Sequence, residues 1–136
     1  MAWVVDTSVV VDLLTGDPLF EPASTACLQA RLLDGLVISP ATFVELGPSF
    51  GGDAAAAEAF LKSAHIGASE FWSAGDTLLA HRLWHQFQAR RRQSSVAKRP
   101  VADVLIAAFA GRFQGLITRN APDFRSILPT LPLIEP

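Results

Sequence analysis

Trp3-Val4-Val5-Asp6-Thr7-Ser8-Val9-Val10-Val11 opens the chain. A short apolar run with β-branched residues reads as a buried strand, and this one ends on a carboxylate. A helix is expected next, from Thr7 or Ser8 to about Leu14, stopped by Gly16-Asp17-Pro18. The same alternation recurs outward along the chain. Glu21 to Leu33 reads as a helix closed by Asp34-Gly35, and Leu36-Val37-Ile38 as a strand. Ser39-Pro40 supplies an N-cap and a first-turn proline for a helix that carries Glu45 and ends or kinks near Gly47-Pro48. Asp53 caps an alanine-rich helix to about Ala64, and His65 to Ala68 can form a short strand. Ser69-Glu70 opens a long helix to about Arg92, with Leu79, Leu83 and Phe87 on one face. Gln93 to Arg99 is a polar, basic loop. Pro100 starts a helix to about Phe113, Gly115-Leu116-Ile117 is a strand, Ala121 to Leu128 holds a helical turn, and Leu131 to Ile134 is the last strand. Short strands alternating with helices predict an α/β fold around a mostly parallel sheet. Ligand sites of such sheets gather at the carboxyl ends of strands, where Asp6 and Thr118-Arg119-Asn120 fall.

The 136 residues favour one domain, residues 1–136. Half of them are hydrophobic and 18% charged, which excludes a disordered chain. Cys27, the single cysteine, excludes an intramolecular disulfide and fits a reducing cytoplasm. The first residues lack the basic start of a secretory signal, and the uncharged stretch Val104 to Gly111 is too short to span a bilayer. A cytoplasmic location without membrane attachment is expected. The net charge of −2 says nothing for nucleic acid, but its distribution does. Residues 1–81 hold ten acids and two bases, residues 82–136 nine bases and three acids, so acidic and basic surfaces can be separate.

Several polar positions stand out against apolar neighbours. Asp6 lies between two valine runs, Glu45 within Phe43-Val44-Glu45-Leu46, and Asp103 within Val101-Ala102-Asp103-Val104-Leu105-Ile106-Ala107-Ala108-Phe109. Asn120 and Asp123 follow Leu116-Ile117. A buried carboxylate is costly unless paired or metal-bound. Two carboxylates about 4 Å apart repel by about 4 kcal/mol at an effective dielectric of about 20. If these acids converge, they stay ionised only around a cation. Oxygen-only ligands suit Mg²⁺ or Mn²⁺, ions that activate water and steady the charge of a phosphodiester. Each residue also has a plainer reading. Asp6 can cap the following helix, Asp103 can oppose a positive helix end, Glu45 can face solvent and Asp123 can cap a turn.

Asp6-Thr7-Ser8-Val9 after an N-terminal apolar strand resembles the opening of PIN-domain nucleases. Thr42-Phe43-Val44-Glu45-Leu46 resembles their second acidic motif, and Arg99-Pro100-Val101-Ala102-Asp103-Val104-Leu105-Ile106-Ala107-Ala108 their third. Leu116-Ile117-Thr118-Arg119-Asn120-Ala121-Pro122-Asp123-Phe124 resembles their terminal motif. The order and spacing fit over nearly the whole chain, and the size and early first aspartate are most similar to VapC-type toxins. The resemblance implies a three-layer α/β/α PIN-like fold, Mg²⁺ or Mn²⁺ dependence and endonucleolytic cleavage of RNA. Asp6, Glu45 and Asp103 would form the metal-binding core, with Asn120 or Asp123 completing the catalytic site. Thr7 or Ser8 would hydrogen-bond a ligand or the scissile phosphate. It also implies a homodimer and a cognate antitoxin that plugs the acidic site. Asn120 departs from the aspartate that many relatives carry, and Pro48 interrupts a helix expected to continue.

Six of the eleven bases lie between Arg82 and Arg99 with no acid among them. Arg90, Arg91, Arg92, Lys98 and Arg99 are candidates to grip RNA phosphates, or they form a solvated helix end. Arg119 is placed to touch the scissile phosphate or to pair with the acids. His81 and His85 share the i, i+4 spacing of zinc sites, but Arg82 stands where the zincin motif has glutamate, so ordinary surface or core histidines are expected. Two other functions remain open. One is a decayed nuclease that binds RNA or protein without cutting, for which Asn120 speaks. The other is a haloacid-dehalogenase-like phosphotransferase, which also starts on strand and Asp but needs a second acid where Ser8 stands.

Overall fold

The computed structural model describes residues 1–91 and 100–136, and side chains to Arg90 and from Val101. Five strands, β1 (Trp3–Val5), β2 (Leu36–Val37), β3 (Ile66–Gly67), β4 (Gly115–Ile117) and β5 (Leu133–Ile134), form one sheet in the order β3-β2-β1-β4-β5. Every pairing is parallel, with Val4 opposite Val37 on one side and Leu116 on the other. Seven helices connect them among the described residues: α1 (Thr7–Thr15), α2 (Glu21–Ala30), α3 (Pro40–Glu45), α4 (Ala54–Ser63), α5 (Ala74–Arg91), α6 (Pro100–Ala110) and α7 (Ala121–Ile127).

Alternation along the strands separates two cores. Val5, Leu36, Ile38, Ile66 and Ile117 pack with Val9, Val10, Leu28 and Leu61 of α1, α2 and α4. Val4, Val37 and Leu116 pack with Leu83, Phe87, Ile106, Phe109, Phe124 and Ile127 of α5, α6 and α7. The result is the expected three-layer α/β/α sandwich. Its strands are apolar throughout because both faces are covered. The chain builds outward from β1 through β2 to β3, then returns to the other side of β1 for β4 and β5. The order reverses between β1 and β4, which opens a crevice at their carboxyl ends.

Local chemistry sets the boundaries. Gly16 ends α1 in the left-handed conformation at φ 61° and donates its N–H to the Asp12 carbonyl. Ser39 caps α3 by accepting from Thr42 N–H, and the helix stops at Glu45, where a 3₁₀ turn over Gly47–Phe50 replaces it. Pro48 thus marks the end expected there. The long helix starts at Ala74 and not at Ser69-Glu70. Ser73 N–H donates to Asp76 Oδ2 and Asp76 N–H to Ser73 Oγ, both at 3.0 Å, a reciprocal cap that outcompetes the earlier serine. The second helix ends at Ala30, short of Leu33, with a 3₁₀ turn over Leu32–Asp34. The sixth ends at Ala110 and not Phe113, and β5 begins at Leu133 and not Leu131. Among the described residues, no helix is long and apolar enough to cross a membrane.

Candidate active site

The crevice is built from the ends of three elements and the start of two. Asp6 ends β1 and caps α1, Glu45 ends α3, Asp103 lies in the first turn of α6, and Thr118 follows β4. Asp6 is buried. Its Oδ1 accepts from Thr7 N–H at 2.8 Å, and its Oδ2 accepts from Ser8 Oγ at 3.0 Å and Thr118 Oγ1 at 2.6 Å. Thr118 Oγ1 also accepts Asn120 N–H at 2.9 Å, which leaves its own hydrogen for Asp6. Thr7 Oγ1 donates to Glu45 Oε1 at 2.7 Å and lies 3.1 Å from Thr42 Oγ1. Thr42 in turn rests on Ser39. Asp6 is therefore both a helix cap and a member of the acidic cluster, and Glu45 is drawn inward by Thr7.

These carboxylates share one electrostatic field. The Asp103 carboxyl is pushed up to about 7, first by burial and then by the charges of Asp6, Glu45 and Asp123. Burial also raises Asp6, against its three hydrogen bonds, and Glu45 adds to the rise. Four acids that the sequence spreads over 118 positions thus bear on one another. Among the described residues, no three acidic, imidazole or thiol side chains stand close enough to enclose an ion as they are. The donor set fits a hard divalent cation. It offers carboxylate and hydroxyl oxygen alone, and the ion pairs of the described residues, Arg112–Asp76 and Arg119–Asp12, lie outside it.

The remaining expected residues divide. Asp123 is exposed, and its charge reaches Asp103. Asn120 is also exposed, and its side chain does not cap α7. Arg119 does not present its guanidinium freely to a phosphate. Its Nε and Nη2 meet Asp12 Oδ2 and Oδ1 at 2.7 and 2.8 Å, and its plane lies 3.9 Å from the Phe20 ring centre. It pairs with an acid, as one of its two expected roles has it, but with one outside the cluster. Arg90 is exposed near the end of α5; the side chain of Arg91, and Arg92, Lys98 and Arg99, lie outside the described residues. His81 and His85 are exposed on α5, and among the described residues no further ligand joins them. Sequence reasoning passed over Asp12 and named Thr42 and Thr118 only as members of motifs, without a role of their own. A charge inside Val9-Val10-Val11-Asp12-Leu13 and a hydroxyl directly after a buried strand were the available signals.

The PIN domain family model matches residues 3–127. No curated protein sequence matches the chain. Two solved structures share the fold over nearly their full length. Against VapBC2 of Rickettsia felis, bound to a DNA fragment from its promoter, the TM-score is 0.68 at 20% identity, covering 99% of this chain and 98% of that one. Against VapBC-1 of nontypeable Haemophilus influenzae the TM-score is 0.69 at 19% identity, with the same coverages. With the family model spanning β1 to α7 and the acids gathered at the sheet's switch point, the chain belongs to the PIN-domain family.

Proposed function

We propose that this protein is a Mg²⁺- or Mn²⁺-dependent endoribonuclease and the toxin of a bacterial toxin–antitoxin pair. The observation that carries the reading is that Asp6, at the carboxyl end of β1, and Glu45, at the end of α3, are joined through Thr7, with Asp103 of α6 held in the field of both. Asp6, Glu45 and Asp103 would hold the ion. Once bound, it would activate water and offset the charge that builds on the phosphodiester. The chain's own residues prepare the place for it. Thr7 fixes the Glu45 carboxylate while Ser8 and Thr118 fix that of Asp6. Oriented in advance, these acids need little rearrangement when charge develops. Asp123, at the open side, is positioned to accept a hydrogen bond from water entering the crevice. Arg90, exposed on α5, would with Arg91, Arg92, Lys98 and Arg99 supply the phosphate grip that the acidic crevice lacks.

The toxin assignment, and with it a cognate antitoxin, rests on the likeness to two VapBC complexes; an antitoxin covering the acidic crevice and a homodimer are proposed from the family resemblance alone. Against the decayed-module reading stands Asp123, whose charge reaches Asp103 despite Asn120. The test is incubation of the purified protein with total cellular RNA and tRNA in Mg²⁺, Mn²⁺ or EDTA, followed by mapping of new ends. Discrete new ends that need the metal and vanish with Asp6→Asn are expected. RNA that stays intact with either ion overturns the reading.

A further inference from the structure

Asp12 is 2% exposed, yet it lies in α1 among valines and leucines, one turn and a half beyond Asp6. Burying a charge in such surroundings demands full compensation. It is met by a two-pronged contact with Arg119 and by Ser24 Oγ, which donates to Asp12 Oδ2 at 2.9 Å. The Phe20 ring closes over the guanidinium. This assembly clamps the turn after β4 onto α1 and α2. Arg119 is flanked in sequence by Thr118, which donates to Asp6, and by Asn120, whose N–H orients that threonine. The Arg119 N–H itself points to Ser8 Oγ at 3.5 Å, the other side-chain donor to Asp6.

We propose that the ion pair of buried Asp12 with half-buried Arg119 positions the Thr118 hydroxyl on Asp6, so that Arg119 serves the acidic site from behind and not by contact with RNA. This inference rests on the proposed metal site. Arg119 is thus a positioning residue acting through Thr118. A simple structural staple is the competing account, and the molecule contains its own control. Arg112 makes an equivalent two-pronged contact with the buried Asp76, at 2.8 and 2.9 Å, between α5 and the end of α6. That pair touches none of the residues around Asp6.

The experiment uses the full chain and removes both charges of each pair, Asp12→Asn with Arg119→Gln and Asp76→Asn with Arg112→Gln, so that no orphaned charge stays buried. Mn²⁺ affinity is measured by calorimetric titration, and kcat and KM for RNA cleavage at saturating Mn²⁺. Loss of an outer partner of a metal ligand weakens binding roughly tenfold to a hundredfold. The Asp12/Arg119 variant is expected to weaken Mn²⁺ binding about tenfold or more and to lower kcat, with KM nearly unchanged. The Asp76/Arg112 variant is expected to lose thermal stability while keeping its Mn²⁺ affinity. Thr118→Val should reproduce the first effect, and adding the Asp12/Arg119 changes to it should weaken Mn²⁺ no further, as for groups acting in series. Unchanged Mn²⁺ affinity, a raised KM with kcat intact, or full additivity with Thr118→Val overturns the proposal. If the double variant does not fold, Arg119→Lys, which keeps the charge without the two-pronged geometry, is read against the same limits. A wild type whose Mn²⁺ affinity depends on this pair yet which cuts no RNA refutes the ribonuclease reading and leaves the positioning role standing.

Discussion

Asp103→Asn tests the shared acidic site without any assay of cleavage. Without metal, the folded protein holds the Asp103 carboxyl at about 7, against an ordinary 3.8, through burial and the charges of Asp6, Glu45 and Asp123. The folded state therefore binds a proton more tightly than the unfolded chain does. Stability contributed by this group falls as pH rises from about 4 to about 7, and the destabilisation is complete above that. Taken at face value the shift corresponds to about 4 kcal/mol. Asp103 is only partly buried, and solvent screening reduces this to about 2 kcal/mol. At pH 8 in EDTA, Asp103→Asn is expected to be the more stable protein by that amount, with a Tm higher by about 7 °C for a chain of this size. As pH falls toward 4, the gap between the two should close. Mn²⁺ at a hundred times its Kd should stabilise wild type by about 2.7 kcal/mol and the variant much less. Thermal melts across pH, with EDTA or Mn²⁺, decide it. A metal-free Asp103→Asn that melts well below wild type at pH 8, together with equal metal shifts for both proteins, would falsify the shared site and return Asp103 to a structural role at the start of α6.

Expression of the wild type alone should arrest growth of a bacterial host, and Asp6→Asn should not; normal growth with soluble wild type and a sensitive RNA present counts against the toxin role. Replacing Arg90, Arg91 and Arg92 with glutamine should weaken RNA binding and lower the log–log salt slope by roughly 0.7 for each lost single-strand contact. An unchanged slope makes the cluster a solvated surface. Gly115→Ala should destabilise by about 3 kcal/mol or more, because an added methyl would run into the Pro132 carbonyl and the Trp3 ring; a chemical melt matching wild type would contradict that close approach. Ser73→Ala should cost about 1 kcal/mol through the lost cap on α5, and a null effect would mean that Asp76 and Arg112 alone hold the helix start.

Asp6 and Asp103 were legible because each is a charge in an apolar stretch. Strand and helix periodicity say which residues must be covered, and a carboxylate there needs a reason. Periodicity also gave the alternation of Val4 with Val5 and Leu116 with Ile117, hence a sheet covered on both faces. The start of α5 was not legible from its first serine. Ser69 is followed at once by Glu70 and Ser73 by Ala74 and Gly75, but only Ser73 has an acid three residues on that returns its bond. Arg112 then holds that acid from 36 positions away, a contact no local pattern encodes. The Asp12–Arg119 pair was hidden for the same reason. Each partner was visible, one as a charge among valines and the other as a base beside a strand end, but joining them requires knowing that β4 lies against β1.

The fourth acidic position shows how geometry can replace residue identity. Asn120 follows β4 at the place where an acid would be sought, yet it is Asp123, three residues on, whose charge raises Asp103. Asp123 lies in the first turn of α7, the helix that follows Asn120. A carboxylate there adds charge to the site, while the residue 120 backbone N–H orients Thr118. That carboxylate is exposed to water, whereas Asp6 is buried. Asp6 and Glu45 therefore hold position through hydroxyl partners, while Asp123 is open to solvent, where under the proposed reading an incoming water or phosphate would arrive. On that division of roles, loss of Asp123 should lower the rate of cleavage more than it weakens Mn²⁺ binding, and loss of Asp6 should abolish both.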